Sequence, residues 1–325
     1  MSFDLRQARA IFSPDELNPA TGDPANVPSA MAVGRIRASY RAIYLRGPAH
    51  RRVHLGFDRL RALGAATPGM PQRAVRNSAH SGSGKTANAE AYVAHANKGA
   101  AKGTIPVLYV ELDKASTVKR LWASVNEKAG DEYSDQGSED MLRRRAFKLL
   151  REKSVELLII DEAQHLSYRS SARNDVTDSL KKALDDGVVP IAFVGNEDLA
   201  PLLSQNVQLS NRMDPPCDLV PLDVRVPNDR SEFMGFVRRL DDAMLAKGIV
   251  SEKAGLDEVR TLGCLYAVSS GIIGRVVNLV EQALVHALER GATRVELFDL
   301  AVATDRWAIA QKVVDYNPFR TGTKL

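Results

Sequence analysis

The sequence predicts an α/β fold with a parallel sheet flanked by helices, a short helical extension before the sheet and an all-helical region after it. Mostly apolar segments of the kind buried in parallel sheets lie at 105–112, 155–161 and 188–196. Helical patterns alternate with them at 86–98, 116–129, 138–153 and 175–186. Beyond residue 226 the pattern is helical, over 229–247, 252–268, 271–290 and 296–312.

The composition of the chain is that of an ordinary globular protein. Its 325 residues are 44% hydrophobic and 26% charged, enough for one large or two ordinary domains. The net charge of +4 is compatible with a nucleic-acid partner but does not require one. Cys217 and Cys264 lack metal-ligand spacing and predict free thiols in a reducing compartment. No long apolar run or signal peptide is present, so we expect a cytoplasmic protein without a membrane partner.

The N-terminal region contains an arm and two helices. Residues 1–30 are rich in Pro, Asn, Asp and Ala, which predicts an extended or partly disordered arm. A strongly basic helix is predicted over 29–46, and its arginines form either a solvated face or a phosphate-contacting arm. A second helix is predicted over 54–63, followed by a turn-rich linker at 68–71.

The segment 79–86 reads A-H-S-G-S-G-K-T and resembles a phosphate-binding loop, although Ala79 replaces the usual first glycine. In such a loop the backbone N–H groups turn inward, a lysine reaches the β- and γ-phosphates and a hydroxyl serves Mg²⁺. A serine- and glycine-rich turn before a helix is the alternative interpretation of this segment alone. The predicted nucleotide contacts are His80, Ser81, Gly82, Ser83, Gly84, Lys85, Thr86 and Ala87.

The segment 155–166 reads V-E-L-L-I-I-D-E-A-Q-H-L, a buried strand that ends in two adjacent carboxylates. In enzymes with a phosphate loop, the acid at the end of such a strand holds the magnesium shell, so we assign Asp161 and Thr86 to the metal. Glu162 is the predicted general base, and Lys85 completes the catalytic set. A strand that merely ends in an acidic turn is the alternative, but both motifs together favour a nucleotide-hydrolysing core that uses ATP and Mg²⁺.

Two polar residues further along the chain have open interpretations. Asn196 ends the strand 188–196, where its amide is able to orient a water molecule, or it forms a turn beside Gly195. Arg212 lies beyond a predicted helix at 197–203, and a lone arginine there is more often a surface residue than a catalytic one.

Taken in order, these motifs resemble those of an AAA+ ATPase, and more narrowly of the TniB/TnsC-type transposition ATPases. The narrower likeness covers residues 35–305 and rests on I-R-A-S-Y-R-A-I-Y-L, L-L-I-I-D-E-A-Q-H-L, F-V-G-N-E-D-L, Q-L-S-N-R and G-I-I-G-R. The resemblance implies a P-loop AAA+ core with a C-terminal helical lid. We therefore expect an N-terminal arm and basic extension at 1–70, the core at 71–225, the lid at 226–312 and a flexible tail at 313–325.

The resemblance also implies roles for three further residues. Asn196 falls at the sensor-1 position, Arg212 at the arginine finger that acts on a neighbouring subunit, and Arg275 at the sensor-2 arginine of the lid, in contact with nucleotide. The chain departs from the family pattern at Ala79, and again in the strand before the loop, where Arg73, Arg76 and Asn77 replace apolar residues. If position 79 required a positive φ, alanine would cost on the order of 1 kcal/mol.

The family further implies binding of double-stranded DNA without sequence preference, inside a ring-like or filamentous homo-oligomer. The expected partners are a transposase and a target-selector protein. Candidate phosphate contacts are Lys114, Thr117, Lys119 and Arg120 after the strand 105–112, and Arg169 and Arg173 after the acidic motif. Ordinary solvated charges are the alternative interpretation of both sets.

Three functions follow from these patterns. The leading hypothesis is an ATP-dependent, DNA-binding regulator of transposition that oligomerises on target DNA, recruits or activates a transposase and hydrolyses ATP slowly until a partner stimulates it. The second is an AAA+ ATPase that remodels protein partners, as in secretion or chaperone-like systems, without binding DNA. The third is a nucleotide switch that binds ATP but barely hydrolyses it, for which Ala79 is the main argument.

Overall fold

The computed structural model describes residues 7–114, 117–166 and 175–324. Contacts divide the chain into two units, each with its own core. The α/β unit is Pro48–Val220, and the helical unit consists of the described residues of Met1–Gly47 and Pro221–Leu325. The predicted extension 1–70 is thus shared between the two units, and the four-part division of the chain stays a prediction.

The α/β unit is built on a sheet whose four strands are all parallel, in the order β1-β4-β3-β2. This confirms the predicted parallel sheet. β2 and β3 are separated by helices, as parallel crossovers require, and β3 and β4 are buried along their whole length. The strands are β1 (Ala74–Ser78), β2 (Val107–Glu111), β3 (Leu157–Asp161) and β4 (Ile191–Gly195).

Helices cover both faces of the sheet, because successive side chains of each strand point to opposite faces. Leu157 and Ile159 of β3 pack with α2 (Pro48–Ala66) and α3 (Lys85–Ala96), whereas Leu158 and Ile160 pack with the opposite helices. Those helices are α4 (Val118–Lys128), α5 (Glu139–Glu152) and α6 (Asp175–Asp185). The short helices α7 (Leu199–Gln205) and α8 (Val207–Ser210) pack on the same side.

A fifth extended segment, residues 213–219, follows the free edge of β1 and is called here the edge segment. Its backbone bridges Ala74 at Met213 and Ala79 at Leu219, both in the parallel sense. Asp214 N–H donates to the Ala74 carbonyl (2.7 Å), and Leu219 N–H donates to the Ser78 carbonyl (3.1 Å). The edge segment therefore shields β1 from solvent on the side away from β4.

The edge segment also explains the arginines that make β1 look unlike a buried strand. Arg76 Nη2 pairs with Asp218 Oδ2 at 2.5 Å, and Arg73 Nε pairs with Asp214 Oδ1 at 3.0 Å. Each cation on or beside β1 thus has a carboxylate on the neighbouring segment, so the strand is buried without an unpaired charge.

The helical unit has a separate core, which is formed mainly by the apolar faces of its helices. Its elements are α1 (Ala30–Arg41), α9 (Pro227–Ala246), α10 (Val259–Ser269), α11 (Ile273–Glu289), α12 (Leu297–Ala303), a π-helix at Thr304–Ile309 and α13 (Pro318–Thr321). Within the described ranges, no single helix meets the length and hydropathy of a membrane span, although α10 and α11, bent by 113° at their junction, meet them as a pair.

Two arginines of the basic N-terminal helix are used inside the helical unit. Arg37 Nε and Arg41 Nε both bind Glu281 Oε1 of α11, at 3.0 and 2.8 Å. Tyr40 lies between these two arginines in the sequence and is buried. Its hydroxyl donates to the Val277 carbonyl at 2.8 Å. These contacts anchor α1 to α11.

Both end segments of the described chain pack on the helical unit. Phe12 of the N-terminal arm is buried beneath the Arg260 guanidinium, whose carbon lies 4.3 Å from the ring centroid. Phe319 of α13 is fully buried in the core, and Asn317 Nδ2 donates to the Ala301 carbonyl at 2.9 Å. This differs from the flexible tail expected at 313–325, because Phe319 gives the segment a buried anchor.

Candidate nucleotide-binding site

The segment 79–86 forms a tight loop between β1 and α3, at the carboxyl end of the sheet. Gly82 and Gly84 adopt left-handed backbone conformations, with φ of 78° and 84°, and Ser83 N–H donates to the His80 carbonyl at 3.1 Å. Gly84 is the N-cap of α3, and no side chain caps the helix. The amide groups of the first helical turn are therefore available to an anion such as a phosphate.

Ala79 fits the loop without backbone strain. Its backbone φ is not positive. Its side chain is buried in the core with Val75 and Leu219, and its N–H donates to the Gly195 carbonyl at 3.0 Å. The cost considered for a positive φ at this position therefore does not arise. The methyl group instead joins the core on the face of α2 and α3.

Thr86 and Asp161 meet beside the loop. Thr86 Oγ1 donates to Asp161 Oδ2 at 2.8 Å, and Tyr109 Oη of β2 donates to the same oxygen at 2.7 Å. Burial, together with the hydrogen bond to Asp161, raises the pKa of the Tyr109 hydroxyl, which therefore remains a donor at neutral pH. A hydroxyl and a carboxylate are ligands that suit Mg²⁺, so Thr86 and Asp161 fit the predicted metal role by their chemistry.

Lys85 and Glu162 form an ion pair across the same site, with 3.3 Å between Lys85 Nζ and Glu162 Oε1. Glu162 has a left-handed backbone, with φ of 53°, which costs roughly 1–2 kcal/mol for a residue with a Cβ. Its N–H donates to Asp161 Oδ1 at 2.7 Å. The strained turn directs the second carboxylate back towards the loop lysine.

Gln164, which the motif analysis did not single out, connects Glu162 to the end of β4. Its Nε2 donates to Glu162 Oε2, and its Oε1 accepts from the Asn196 backbone N–H at 3.1 Å. The Asn196 side chain is engaged locally, since Asn196 Nδ2 donates to Asp198 Oδ2 at 3.2 Å and Oδ1 accepts from Asp198 N–H at 3.0 Å. Tyr109 and Gln164 are thus the polar residues of the site that the sequence did not reveal, although Gln164 lies two positions after Glu162.

The remaining predicted residues of the ATP site lie in different surroundings. Arg212 Nε binds Asp185 Oδ1 of α6 at 2.5 Å, and Arg275 belongs to the first turn of α11 in the helical unit. His80 of the loop pairs with Glu197. The other loop residues, Ser81, Gly82, Ser83, Gly84 and Ala87, surround the start of α3.

The first set of candidate DNA contacts surrounds the beginning of α4. Lys114, Thr117, Lys119 and Arg120 are all exposed, and Thr117 caps the helix by accepting from the Arg120 N–H at 3.3 Å. Arg169 and Arg173, the second set, lie outside the described residues. By contrast, Arg143 and Arg144 share Asp140 and Arg145 pairs with Asp131, so this run of three arginines is held by two carboxylates of the same unit.

The sequence matches the model of one protein family, described as the bacterial TniB protein, over residues 50–218. The match covers just over half of the 325-residue chain and includes the loop, the acidic pair, Gln164, Asn196 and Arg212. No curated protein matches the sequence.

The fold is similar to those of several solved proteins. The ORC2 protein of Aeropyrum pernix, solved in ADPNP and ADP complexes, is 16% identical with a TM-score of 0.61, over 83% of this chain and 71% of that one. Cdc6p of Pyrobaculum aerophilum is 12% identical with a TM-score of 0.57, over 88% and 71% of the chains. The ORC1 protein of Aeropyrum pernix, solved in complex with DNA, is 18% identical with a TM-score of 0.55, over 83% and 68%. Together with the parallel sheet and the family match, these similarities confirm the predicted AAA+ fold.

Proposed function

The chain belongs to the TniB family, and from this premise we propose that it is an ATP-hydrolysing, DNA-binding AAA+ regulator of transposition. In this function ATP favours assembly of several copies on duplex DNA, and the assembly recruits or activates a transposase. The observation that carries the proposal is the convergence of Lys85, Thr86, Asp161 and Glu162 at one end of a parallel sheet, with contacts of 2.8 and 3.3 Å between the two motifs.

Each residue of the site has its own role in the proposed hydrolysis. The backbone amides of the loop bind the phosphates, and Lys85 exchanges its contact with Glu162 for one with the β- and γ-phosphates. This exchange releases Glu162 Oε1 to accept a proton from the attacking water as the γ-phosphoryl group moves to that water, leaving ADP. Thr86 and Asp161 would hold Mg²⁺, and the bound ion would supply positive charge beside the phosphates.

Two arginines that do not belong to this cluster have further roles in the proposed mechanism. Arg212 reaches the nucleotide of a neighbouring copy and stabilises the charge of the transition state, as arginine fingers do. Its ion pair with Asp185 holds it within its own chain until assembly supplies the nucleotide. Arg275 reports nucleotide occupancy to the helical unit.

Contact with DNA is assigned to the exposed set at the start of α4. Lys114, Lys119 and Arg120 supply positive charge, and Thr117 supplies a hydroxyl, which suits phosphate contact without base reading. The family is the main support for this assignment. The ORC1 structure in complex with DNA concerns that protein and shows only that this fold is compatible with such binding.

The test is a comparison of wild-type protein with Glu162→Gln, which keeps the shape of the side chain but removes the general base. We expect hydrolysis to fall roughly 10²- to 10⁴-fold, and ATP-bound oligomers to persist on duplex DNA. Phosphate release, and electron microscopy with ATP and duplex present, measure the two effects. Lys85→Ala is the control that should abolish nucleotide-dependent assembly.

DNA affinity is measured in the same experiment at two salt concentrations. Three neutralised phosphates predict a loss of roughly 10- to 100-fold between 50 and 200 mM salt. Lys119→Ala with Arg120→Ala should weaken binding, whereas Arg144→Ala, which removes another exposed cation of the same unit, should not. A Glu162→Gln protein that stays monomeric with ATP and duplex would contradict the assembly step. An absence of salt-dependent affinity would favour a protein-remodelling ATPase instead.

A further inference from the structure

The side-chain amide of Gln164 is the polar link between the end of β3 and the end of β4. Its Nε2 group donates to the carboxylate of Glu162, and its Oε1 atom lies 3.1 Å from the backbone nitrogen of Asn196. Glu162 Oε1 meets Lys85 Nζ at 3.3 Å, so the two oxygens of this carboxylate have different partners. His165 Nε2 lies 4.0 Å from Glu162 Oε2, beyond hydrogen-bonding distance.

The Gln164 amide packs closely against the backbone of Gly195. A Cβ built on Gly195 would lie only 2.5 Å from Gln164 Oε1 and 3.1 Å from Leu199 Cδ2. Gly195 has an ordinary φ, so close approach of the amide, and not backbone conformation, accounts for a glycine at this position. Any larger residue at position 195 would push the Gln164 amide away from Asn196.

The amide holds the carboxylate oxygen of Glu162 that Lys85 does not contact. When phosphates draw Lys85 away, Oε1 loses its partner, but Oε2 keeps its hydrogen bond from Gln164. A carboxylate held by one oxygen retains its direction towards the loop, whereas one without either contact rotates freely about its side-chain torsions.

We propose that Gln164 is a positioning residue for ATP hydrolysis, which holds the Glu162 carboxylate towards the attacking water and ties its position to the end of β4. This role rests on the proposed hydrolytic function. It also assigns the connection between Glu162 and Asn196 to the backbone N–H of Asn196 and the side chain of Gln164, and not to the Asn196 amide.

Three variants of the full-length chain test the role. Gln164→Met keeps the length of the side chain and removes both hydrogen bonds; Gln164→Glu keeps the acceptor for Asn196 N–H but cannot donate to Glu162. Gly195→Ala keeps the glutamine at position 164 but displaces its side-chain amide. For each we expect kcat for ATP hydrolysis to fall roughly 10- to 100-fold, the loss typical of a misplaced reacting group, with ATP affinity little changed.

A double substitution separates this role from a general structural one. In a Glu162→Gln background, adding Gln164→Met should not reduce the residual rate further, because the positioned carboxylate is already absent. Gln136→Met, which replaces an exposed glutamine of the same unit, is the control and should hydrolyse ATP at the wild-type rate. If Gln164→Met fails to fold, Gly195→Ala carries the test.

The outcomes are distinct. A wild-type protein that hydrolyses ATP, together with Gln164→Met and Gly195→Ala variants of unchanged kcat, would overturn the positioning role and leave the proposed function intact. An equal loss from Gln164→Met in the wild-type and Glu162→Gln backgrounds would overturn it as well, because the effect would not pass through Glu162. A wild-type protein that binds ATP and never hydrolyses it would overturn the proposed hydrolysis and this role together.

Discussion

Backbone conformation at two single residues shapes the candidate site. Ala79 stands where related loops carry glycine, yet its backbone is not left-handed and its methyl group is buried. Glu162 shows the opposite case, since it adopts a left-handed φ of 53° in spite of its side chain. The loop is therefore relaxed at its unusual residue, and the strain lies at the acidic residue that the proposed chemistry uses.

Restoring the glycine at position 79 should thus weaken the protein without improving the site. Ala79→Gly removes a buried methyl group, whose burial is worth about 0.8 kcal/mol. It also raises the conformational entropy of the unfolded chain, which favours unfolding by a similar amount. We expect the α/β unit to lose about 1–2 kcal/mol of stability and ATP affinity to stay at its wild-type level. Denaturant unfolding and a nucleotide titration measure the two quantities. A clear gain in ATP affinity would show that alanine impairs the loop.

At the scale of elements, β1 is a buried strand that its own polar sequence does not predict. Its residues Ala74–Ser78 read A-V-R-N-S, and their burial depends on the edge segment about 140 positions later in the chain. Asp218 binds Arg76 with both oxygens of its carboxylate, and its Oδ1 also accepts from the Ser78 N–H at 2.7 Å. A single carboxylate therefore satisfies a cation and a backbone donor of the same strand.

Removal of the Asp218 carboxylate should destabilise the β1 edge of the sheet. Asp218→Ala leaves the Arg76 guanidinium and the Ser78 N–H without their partner, which costs about 1–3 kcal/mol. Asp218→Asn keeps the acceptor for Ser78 and should cost less. Asp135→Ala, which removes an exposed carboxylate of the same unit, is the control for unfolding in denaturant. Equal stability of Asp218→Ala and Asp135→Ala would contradict the proposed importance of the pair.

The difference between what could and could not be predicted follows from sequence separation. The loop and the acidic pair carry their chemistry within a few consecutive residues, so the sequence predicts Lys85, Thr86, Asp161 and Glu162 as one set, and the structure brings these four side chains together. The pairing of Arg76 with Asp218 depends on a topology that no local pattern encodes. The contact of Gln164 is unpredictable for a related reason, because its partner Asn196 directly follows the end of β4, the strand beside β3 in the sheet.

At the scale of the whole molecule, the helical unit is assembled from both ends of the sequence. The N-terminal arm contributes Phe12, and the C-terminal segment contributes Phe319, to the same core. Arg290 binds Glu296 and Asp299 and donates to the Thr21 carbonyl, so a buried charged cluster also fixes the arm. The helical unit is therefore complete only when residues 7–47 are present.

The C-terminal segment should contribute to stability far more than a flexible tail would. Phe319→Ala empties a fully buried site, which costs about 3–5 kcal/mol. Arg320→Ala, at the next position, breaks only an ion pair with Asp305 whose side chains are partly exposed, and should cost less than about 1 kcal/mol. Hydrogen exchange of the amides in α10 and α12 distinguishes the two variants. Equal protection in both would contradict a structural role for Phe319.

The way in which the two units share the sequence has a consequence for synthesis on the ribosome. Pro48–Val220 is continuous, so this unit leaves the ribosome whole and is able to fold while translation continues. Residues 7–47 emerge before it, but Arg37 and Arg41 must wait for Glu281, and Phe12 must wait for Arg260. During that interval these basic and aromatic residues lack their final contacts, and a segment translated after the α/β unit completes the fold of one translated before it.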